Sequence, residues 1–448
     1  MNNKTEEIFR NAPVPKAVIS NAIPAIISMI MVLLYNLADT FFIGQTKNPL
    51  MVAAVSVATP AFLIFMAVGM MFGIGGTSLI SRWLGEKKED GVKKVSSFCC
   101  WTGVVIGVIS MVGIWCFTEP ISKLVGASAD TMAYTNQYLK IVATSIPFLI
   151  FGNVFSNVIR AEGHAKTAMT GMIVGNMVNI VLDPIMILGL KWYVGGAAAA
   201  TVIGNLCSAG FYLWHLLGGK SILSVKLSDY SASRKIVTGV LAIGIPASLN
   251  SIMMSISNIF LNNTMAHYGD MAVAGLGVAM KVNMIVVMLL IGLGVGVQPL
   301  LGYCYGARNK ERFVAIFKFS LFLAFVVSAV MTAICYFGAE PLVRAFLDNE
   351  QAHGFAFSFS RIYILSGPII GILFVLINAI QSTGAAFPSF ILSISRQGLV
   401  YIPVLEILYH VFDDARHVAM AQPIADYMSV IIATVLFVLT YKKYIAKF

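Results

Sequence analysis

Gly73-Ile74-Gly75 lies in the apolar run 62–80, and 221 positions later Gly294-Val295-Gly296 lies in another. The same offset pairs Gly85 with Gly306, Glu119-Pro120 with Glu340-Pro341, Pro147 with Pro368 and Gly163 with Gly384. An offset that hardly drifts over so long a stretch marks a duplicated unit. The unit is apolar: 58% of the 448 residues are hydrophobic and 11% charged, against about 25% charged in soluble domains. Runs such as 62–80 and 321–339 approach the roughly 20 residues with which a helix crosses a bilayer. Twelve such spans recur, six per copy. The chain therefore reads as an all-α polytopic membrane protein, with twelve transmembrane helices in two pseudo-symmetric six-helix lobes.

Hydropathy predicts helices over 17–44, 51–80, 95–117, 131–158, 166–190 and 195–217 in the first copy. The second copy gives 239–266, 272–303, 313–338, 355–380, 388–411 and 418–441. Six is even, so both copies enter the membrane from the same side and the repeat is parallel. The expected organisation is an N-terminal lobe (1–217), a polar cytoplasmic linker (218–238) and a C-terminal lobe (239–448). Two parallel lobes imply a cleft that opens alternately to either side.

The formal net charge of +10 is distributed by topology. Lys and Arg gather in alternate loops: Arg82, Lys87, Lys88, Lys93 and Lys94, then Arg160 and Lys166, then Lys220, Lys226, Arg234 and Lys235. Arg308, Lys310 and Arg312 follow, and then Lys442, Lys443 and Lys447, while the intervening loops hold single basics such as Lys47, Lys123 and Lys191. The positive-inside bias makes the rich set cytoplasmic, with both termini, in a multi-pass protein of the cytoplasmic (inner) membrane. A nucleic-acid partner is not expected; the partners are the lipid bilayer and small molecules. The polar, mixed-charge start (Asn2, Lys4, Glu6, Glu7, Arg10) marks a retained first helix and not a signal peptide. Six cysteines in or beside apolar spans read as small buried hydrophobes.

Catalytic signatures fail. Gly219-Lys220-Ser221 resembles the end of a phosphate-binding loop, but Trp214 stands where its first Gly belongs. The six histidines, among them His164 and His215, are scattered without metal-ligand spacing, and Asp413-Asp414 lacks further acidic partners. No enzyme and no cofactor is expected.

Intramembrane ionisable residues carry the functional reading. A carboxylate at a helix centre costs about 2.5–3.5 kcal/mol on insertion scales, so such residues face the bundle interior and mark ion or proton pathways. Asp39 sits in the first span and Asp183 in the fifth. Counted from the helix ends, both reach the depth of Thr201 in the sixth. Asn179 and Tyr35 lie one turn before Asp183 and Asp39 on the same faces. This oxygen-rich set suits either Na⁺, with Asp39, Asn179, Asp183 and Thr201 as ligands, or a proton. The alternative, taken singly, is local: Asp39 as a helix-end cap and Asp183-Pro184 as a kink. Asn153 and Asn157 share a face of the fourth span, either as substrate contacts or as interhelical glue. In the second copy the positions answering Asp39 and Asp183 are Leu261 and Val404, so the carboxylates are not duplicated. The second copy offers Glu406, Asp426 and the intramembrane Lys281 instead, the last read as a substrate contact or a snorkelling cation. Lys140 and Arg361, equivalent in the repeat, read as structural.

Pro24 with Asp39-Thr40-Phe41-Phe42-Ile43-Gly44, then Arg160-Ala161-Glu162-Gly163, then Asn179 through Asp183-Pro184, resemble the multidrug and toxic compound extrusion (MATE) family. The second half adds Gly294-Val295-Gly296-Val297-Gln298-Pro299, Tyr305-Gly306-Ala307-Arg308 and Gln422-Pro423-Ile424-Ala425-Asp426. The resemblance implies a twelve-helix antiporter that exports organic, cationic compounds in exchange for Na⁺ or H⁺ by alternating access. In the branch with N-lobe carboxylates, the coupling residues match Asp39, Asn179, Asp183 and Thr201, with Tyr35 nearby. Another branch has acidic residues in the seventh and tenth helices; here the tenth carries Asn378 and Gln381, which join Asn153, Asn157 and Lys281 as candidates for the substrate path. The expected working unit is a monomer. The rival reading is a flippase for a lipid-linked precursor, which needs several basic residues in the cleft; Lys281 is one.

Overall fold

The computed structural model describes residues 7–219, 221–344 and 350–447. Lys220 of the basic loops and Asn2, Lys4 and Glu6 of the N-terminal start lie outside them. Among the described residues there is no strand. The principal helices are α1 (Val14–Gly44), α2 (Pro49–Gly85), α3 (Glu89–Cys116), α4 (Met132–Ala143), α5 (Ile146–Ala161), α6 (Ala165–Asp183) and α7 (Tyr193–Leu217). The second copy supplies α8 (Arg234–Ala266), α9 (Asp270–Gly306), α10 (Lys310–Phe337), α11 (Glu350–Ile364), α12 (Gly367–Ser382), α13 (Ala386–Ile394), α14 (Tyr401–Val411) and α15 (Ala421–Thr440). Among the described residues ten spans are long and apolar enough to cross a membrane, and twelve when α4/α5 and α11/α12 each count as one bent span. Ile109, Phe322 and Ile431 are each about two-thirds exposed on these helices. Such surfaces belong in lipid, where a helix also satisfies its own backbone polar groups.

The chain forms two compact units. Unit 1 takes in residues 27–244 and unit 2 takes in 12–26 with 245–447. Helices α1 and α8 thus each divide between units, close to their internal prolines Pro24 and Pro246. Within unit 1 a Cβ on Gly75 would stand 2.2 Å from the Val240 carbonyl oxygen, so the start of α8 lies directly on α2. The counterpart in unit 2 is Gly296, where a Cβ would stand 2.7 Å from Ala22 Cα at the start of α1.

Prolines punctuate the spans by one rule. A proline ring collides with the carbonyl four residues earlier and donates no hydrogen bond, so a helix tends to stop there. Cys116, Ala143, Phe337, Ile364 and Ala419 each end a helix, and each stands four residues before a proline: Pro120, Pro147, Pro341, Pro368 and Pro423. The spans expected to be continuous over 131–158 and 355–380 are therefore broken, with bends of 52° between α4 and α5 and 50° between α11 and α12. The last span is likewise divided, between Ala415–Ala419 and α15. The fifth and eleventh spans pass through wider π turns, Pro184–Gly189 and Ser395–Val400. Ser145 and Ser366, at the two bends, turn their hydroxyls back onto Val142 O (2.7 Å) and Tyr363 O (3.2 Å).

The duplication holds at the level of contacts. Gly73 of α2 faces Asn153 O and Asn157 Nδ2 of α5, each 3.0 Å from a Cβ built on it. Gly294 of α9 faces Phe374 O and Asn378 Nδ2 of α12, at 3.1 and 2.6 Å. Asn157 and Asn378 each donate 2.8 Å to the carbonyl one turn back on their own helix, Asn153 O and Phe374 O. Lys87 and Arg308, also 221 apart, share a left-handed backbone with φ of 59° and 53°.

Candidate functional site

In unit 1, α6 and α7 approach at two glycines. A Cβ on Gly204 would meet Gly175 O at 2.7 Å and Asn179 Cβ at 3.1 Å. That closeness lets Asn179 reach Thr201. With its amide oriented to its neighbours, Asn179 donates from Nδ2 to Asp183 Oδ2 (3.1 Å). Its Oδ1 faces Thr201 N (3.0 Å) and Thr201 Oγ1 (3.3 Å). The single proton of Thr201 Oγ1 has Ala197 O, at 3.0 Å, as its nearer acceptor. The Tyr35 phenol of α1 reaches the Thr201 side chain and lies in the electrostatic field of Asp39 and Asp183. The two carboxylates act on each other as well. The fold thus gathers Tyr35, Asp39, Asn179, Asp183 and Thr201 from three helices.

Asp183 is fully buried and ends α6; the ring of Pro184 behind it starts the π turn. Its Oδ1 and the Oδ1 of Asp39 are buried atoms with no hydrogen-bond partner. Among the described residues neither carboxylate makes an ion pair. A buried, unsatisfied carboxylate oxygen costs several kcal/mol in a membrane interior, so these atoms call for a cation or a proton. The donors are oxygens throughout, the chemistry of hard cations. Tyr138 of α4 belongs to the same group, lying in the field of Asp39, Tyr35 and Asp183.

A cavity of about 90 Å³ opens beside the carboxylates. Its polar wall includes Tyr35, Asn153, Asn176, Asn179, Thr201 and Asn205, and its apolar wall includes Phe62, Met66 and Met172. Asn153 thus shares a cavity with three of the coupling candidates, Tyr35, Asn179 and Thr201. Asn157 does not line it, and its Oδ1 accepts from Arg160 Nη1 (3.2 Å). Asn176 and Asn205 are members that the sequence reading missed. They lie three residues before Asn179 and four after Thr201, so helical spacing from those two residues marks them.

Unit 2 treats its carboxylate differently. Asp426 of α15 is fully buried, and Arg396 Nε donates to its Oδ1 at 2.9 Å. Ser366 Oγ donates to Oδ2 (2.8 Å) and Gln422 Nε2 to Oδ1 (3.0 Å). The Arg396 guanidinium lies over the Phe374 ring at 5.3 Å. Asp426 is thus neutralised by its own unit. Glu406 is half-exposed, its carboxylate 3.7 Å from His410 one turn on. Asn378 and Gln381 are buried on α12, and Lys281 is exposed on α9.

A duplicated bundle of helices, ten or twelve of them apolar enough among the described residues to cross a membrane, with unpartnered buried carboxylate oxygens in unit 1, has the build of a membrane transporter. The family model MatE matches residues 24–185 and again 246–407, one match per copy. The chain is 31% identical over 404 residues to the multidrug export protein MepA of Staphylococcus aureus (strain NCTC 8325 / PS 47), covering 90% of this chain and 89% of the relative. The MepA of Staphylococcus saprophyticus matches to the same extent. Among solved structures, an outward-facing multidrug resistance MATE transporter of the MOP superfamily superposes with a TM-score of 0.94, at 25% identity and 99% coverage of both chains. A MOP superfamily transporter from Pyrococcus furiosus, described as having a binding pocket of reversed polarity that suggests a different function, superposes at 0.92 with 25% identity and the same coverage. The chain belongs to the MATE family.

Proposed function

We propose that this protein is a secondary antiporter of the cytoplasmic membrane that exports organic cations in exchange for Na⁺ or H⁺. The observation that carries the reading is the gathering of Asp39 and Asp183 in unit 1, each with a buried Oδ1 lacking a partner. Tyr35, Asn179 and Thr201 complete a set of oxygens that fits either ion. The ion binds the inward-open and outward-open states unequally, and that difference drives the exchange. Substrate occupies the neighbouring cavity, where Met and Phe surfaces accept varied shapes and the asparagines orient them. The multidrug export attributed to the staphylococcal relatives supports the substrate class. The working unit is a monomer with both termini in the cytoplasm.

The test is accumulation of ethidium in everted vesicles under imposed Na⁺ and H⁺ gradients, applied separately. One of the two gradients drives accumulation, and its collapse releases the dye. Equal accumulation with and without either gradient contradicts the proposal.

A further inference from the structure

His164 and His215 stand 51 residues apart, a separation that hides any ligand spacing. The fold closes that distance. Glu162 caps the C-terminus of α5, Gly163 makes the turn with φ 95°, and His164 caps the N-terminus of α6. His215 occupies the last turn of α7, which packs along α6. The imidazoles meet edge to face, with centroids 5.4 Å apart and planes at 89°. One ligand atom from each of Glu162, His164 and His215 lies within 4.8 Å of the others.

The carboxylate is held in place. Glu162 is fully buried; its Oε2 accepts from Ser221 Oγ (2.7 Å) and its Oε1 from Ile222 N (2.5 Å). His164 Nδ1 lies 3.6 Å from Glu162 Oε2 and is a buried atom with no hydrogen-bond partner. The neighbouring Arg160 turns its Nη1 toward Asn157. Beyond Ile222 the linker stays pinned to α3, with Ser96 Oγ donating to Ser224 O (3.0 Å) and Trp101 Nε1 to Val225 O (3.0 Å).

We propose that Glu162, His164 and His215 form a site for a divalent transition-metal ion of the Zn²⁺ class. Two imidazole nitrogens and one carboxylate oxygen are borderline donors that suit Zn²⁺ or Co²⁺, whereas Mg²⁺ and Ca²⁺ take oxygens. With bonds of about 2.0–2.2 Å, tetrahedral ligands stand roughly 3.4 Å apart. Small rotations of the two imidazoles bring the trio to that spacing, and water completes the fourth corner. Ser221 and Ile222 supply the hydrogen bonds that orient a metal-ligating carboxylate. The ion ties the α5–α6 turn to the end of α7 and, through Glu162, to the linker. This assignment is independent of the coupling ion at Asp39 and Asp183.

The test uses the full chain in detergent, freed of any His tag, with Co²⁺ as a spectroscopic probe and Zn²⁺ as competitor. One equivalent of Co²⁺ gives the intense visible bands of four-coordination, and Zn²⁺ removes them. His164→Asn and His215→Asn each weaken binding at least tenfold, while His410→Asn on α14 leaves it unchanged. Hydrogen exchange on the wild-type chain provides a readout independent of variant folding: Zn²⁺ slows exchange at Ile222 and Val225. Titration of the His164→Asn/His215→Asn double variant indistinguishable from wild type, or exchange unaffected by Zn²⁺, overturns the assignment.

Discussion

The aspartates Asp39, Asp183 and Asp426 of the membrane spans sit in two kinds of surroundings. Asp426 has a guanidinium, a hydroxyl and an amide on its two oxygens, so its charge is cancelled locally. Asp39 and Asp183 each keep an oxygen without a partner. Local cancellation makes Arg396 structural, and removing one member of a buried pair strands the other at a cost of about 3–5 kcal/mol. Arg396→Met should therefore lower the thermal midpoint in detergent, and adding Asp426→Asn should recover part of the loss. An unchanged midpoint in the single variant contradicts the reading. The cavity wall is open to a similar check. Asn176 Nδ2 is a buried donor with no partner beside Asn179, so Asn176→Leu should weaken ethidium binding, measured by fluorescence anisotropy, while leaving the thermal midpoint near wild type. Asp39, Asp183 and Thr201 were legible in the sequence because depth along a helix can be counted from its ends. Tyr138 was not, because α4 bends away at Pro147 and a straight-helix count puts its residues at the wrong place. The Arg396–Asp426 pair spans thirty positions and two helices, a closeness only the packing reveals.

Glycine and proline set the framework at the level of helices. The repeat reads directly from them because each copy needs the same close approaches and the same stops. Glycine spacing therefore disclosed the duplication, and five prolines mark helix ends by the reach of their rings to the fourth carbonyl back. The bends at Pro147 and Pro368 were missed because hydropathy runs on across them: a bent span is as apolar as a straight one. Glycines at close approaches should tolerate no Cβ, whereas exposed ones with open space beside them should. Gly75→Ala and Gly296→Ala each force backbone movement, and overpacking of this kind costs about 1–3 kcal/mol. Gly210→Ala and Gly277→Ala meet nothing within 4 Å and should leave the thermal midpoint unchanged or slightly raised. Four equal midpoints contradict the packing account.

At the scale of the whole molecule, one duplicated framework carries unequal chemistry. Each copy supplies a helix that starts in one unit and ends in the other, a bent fourth span and a glycine-bearing second span. Among the described residues, buried carboxylate oxygens without a hydrogen-bond partner occur only in unit 1, on Asp39 and Asp183. Basic-loop asymmetry adds a topological expectation: in a cysteine-free background, Lys93→Cys at the start of α3 should react with a membrane-impermeant maleimide only from the cytoplasmic side, and Lys123→Cys beyond its end only from the outside. The reverse pattern refutes the assigned orientation. The central claim is that Asp39 and Asp183 together couple transport to the ion. Its most direct test is gradient-driven ethidium transport in proteoliposomes holding equal amounts of correctly inserted wild type, Asp39→Asn and Asp183→Asn. The account predicts that each variant loses gradient-driven transport while remaining inserted and monodisperse; wild-type coupling in both single variants contradicts it.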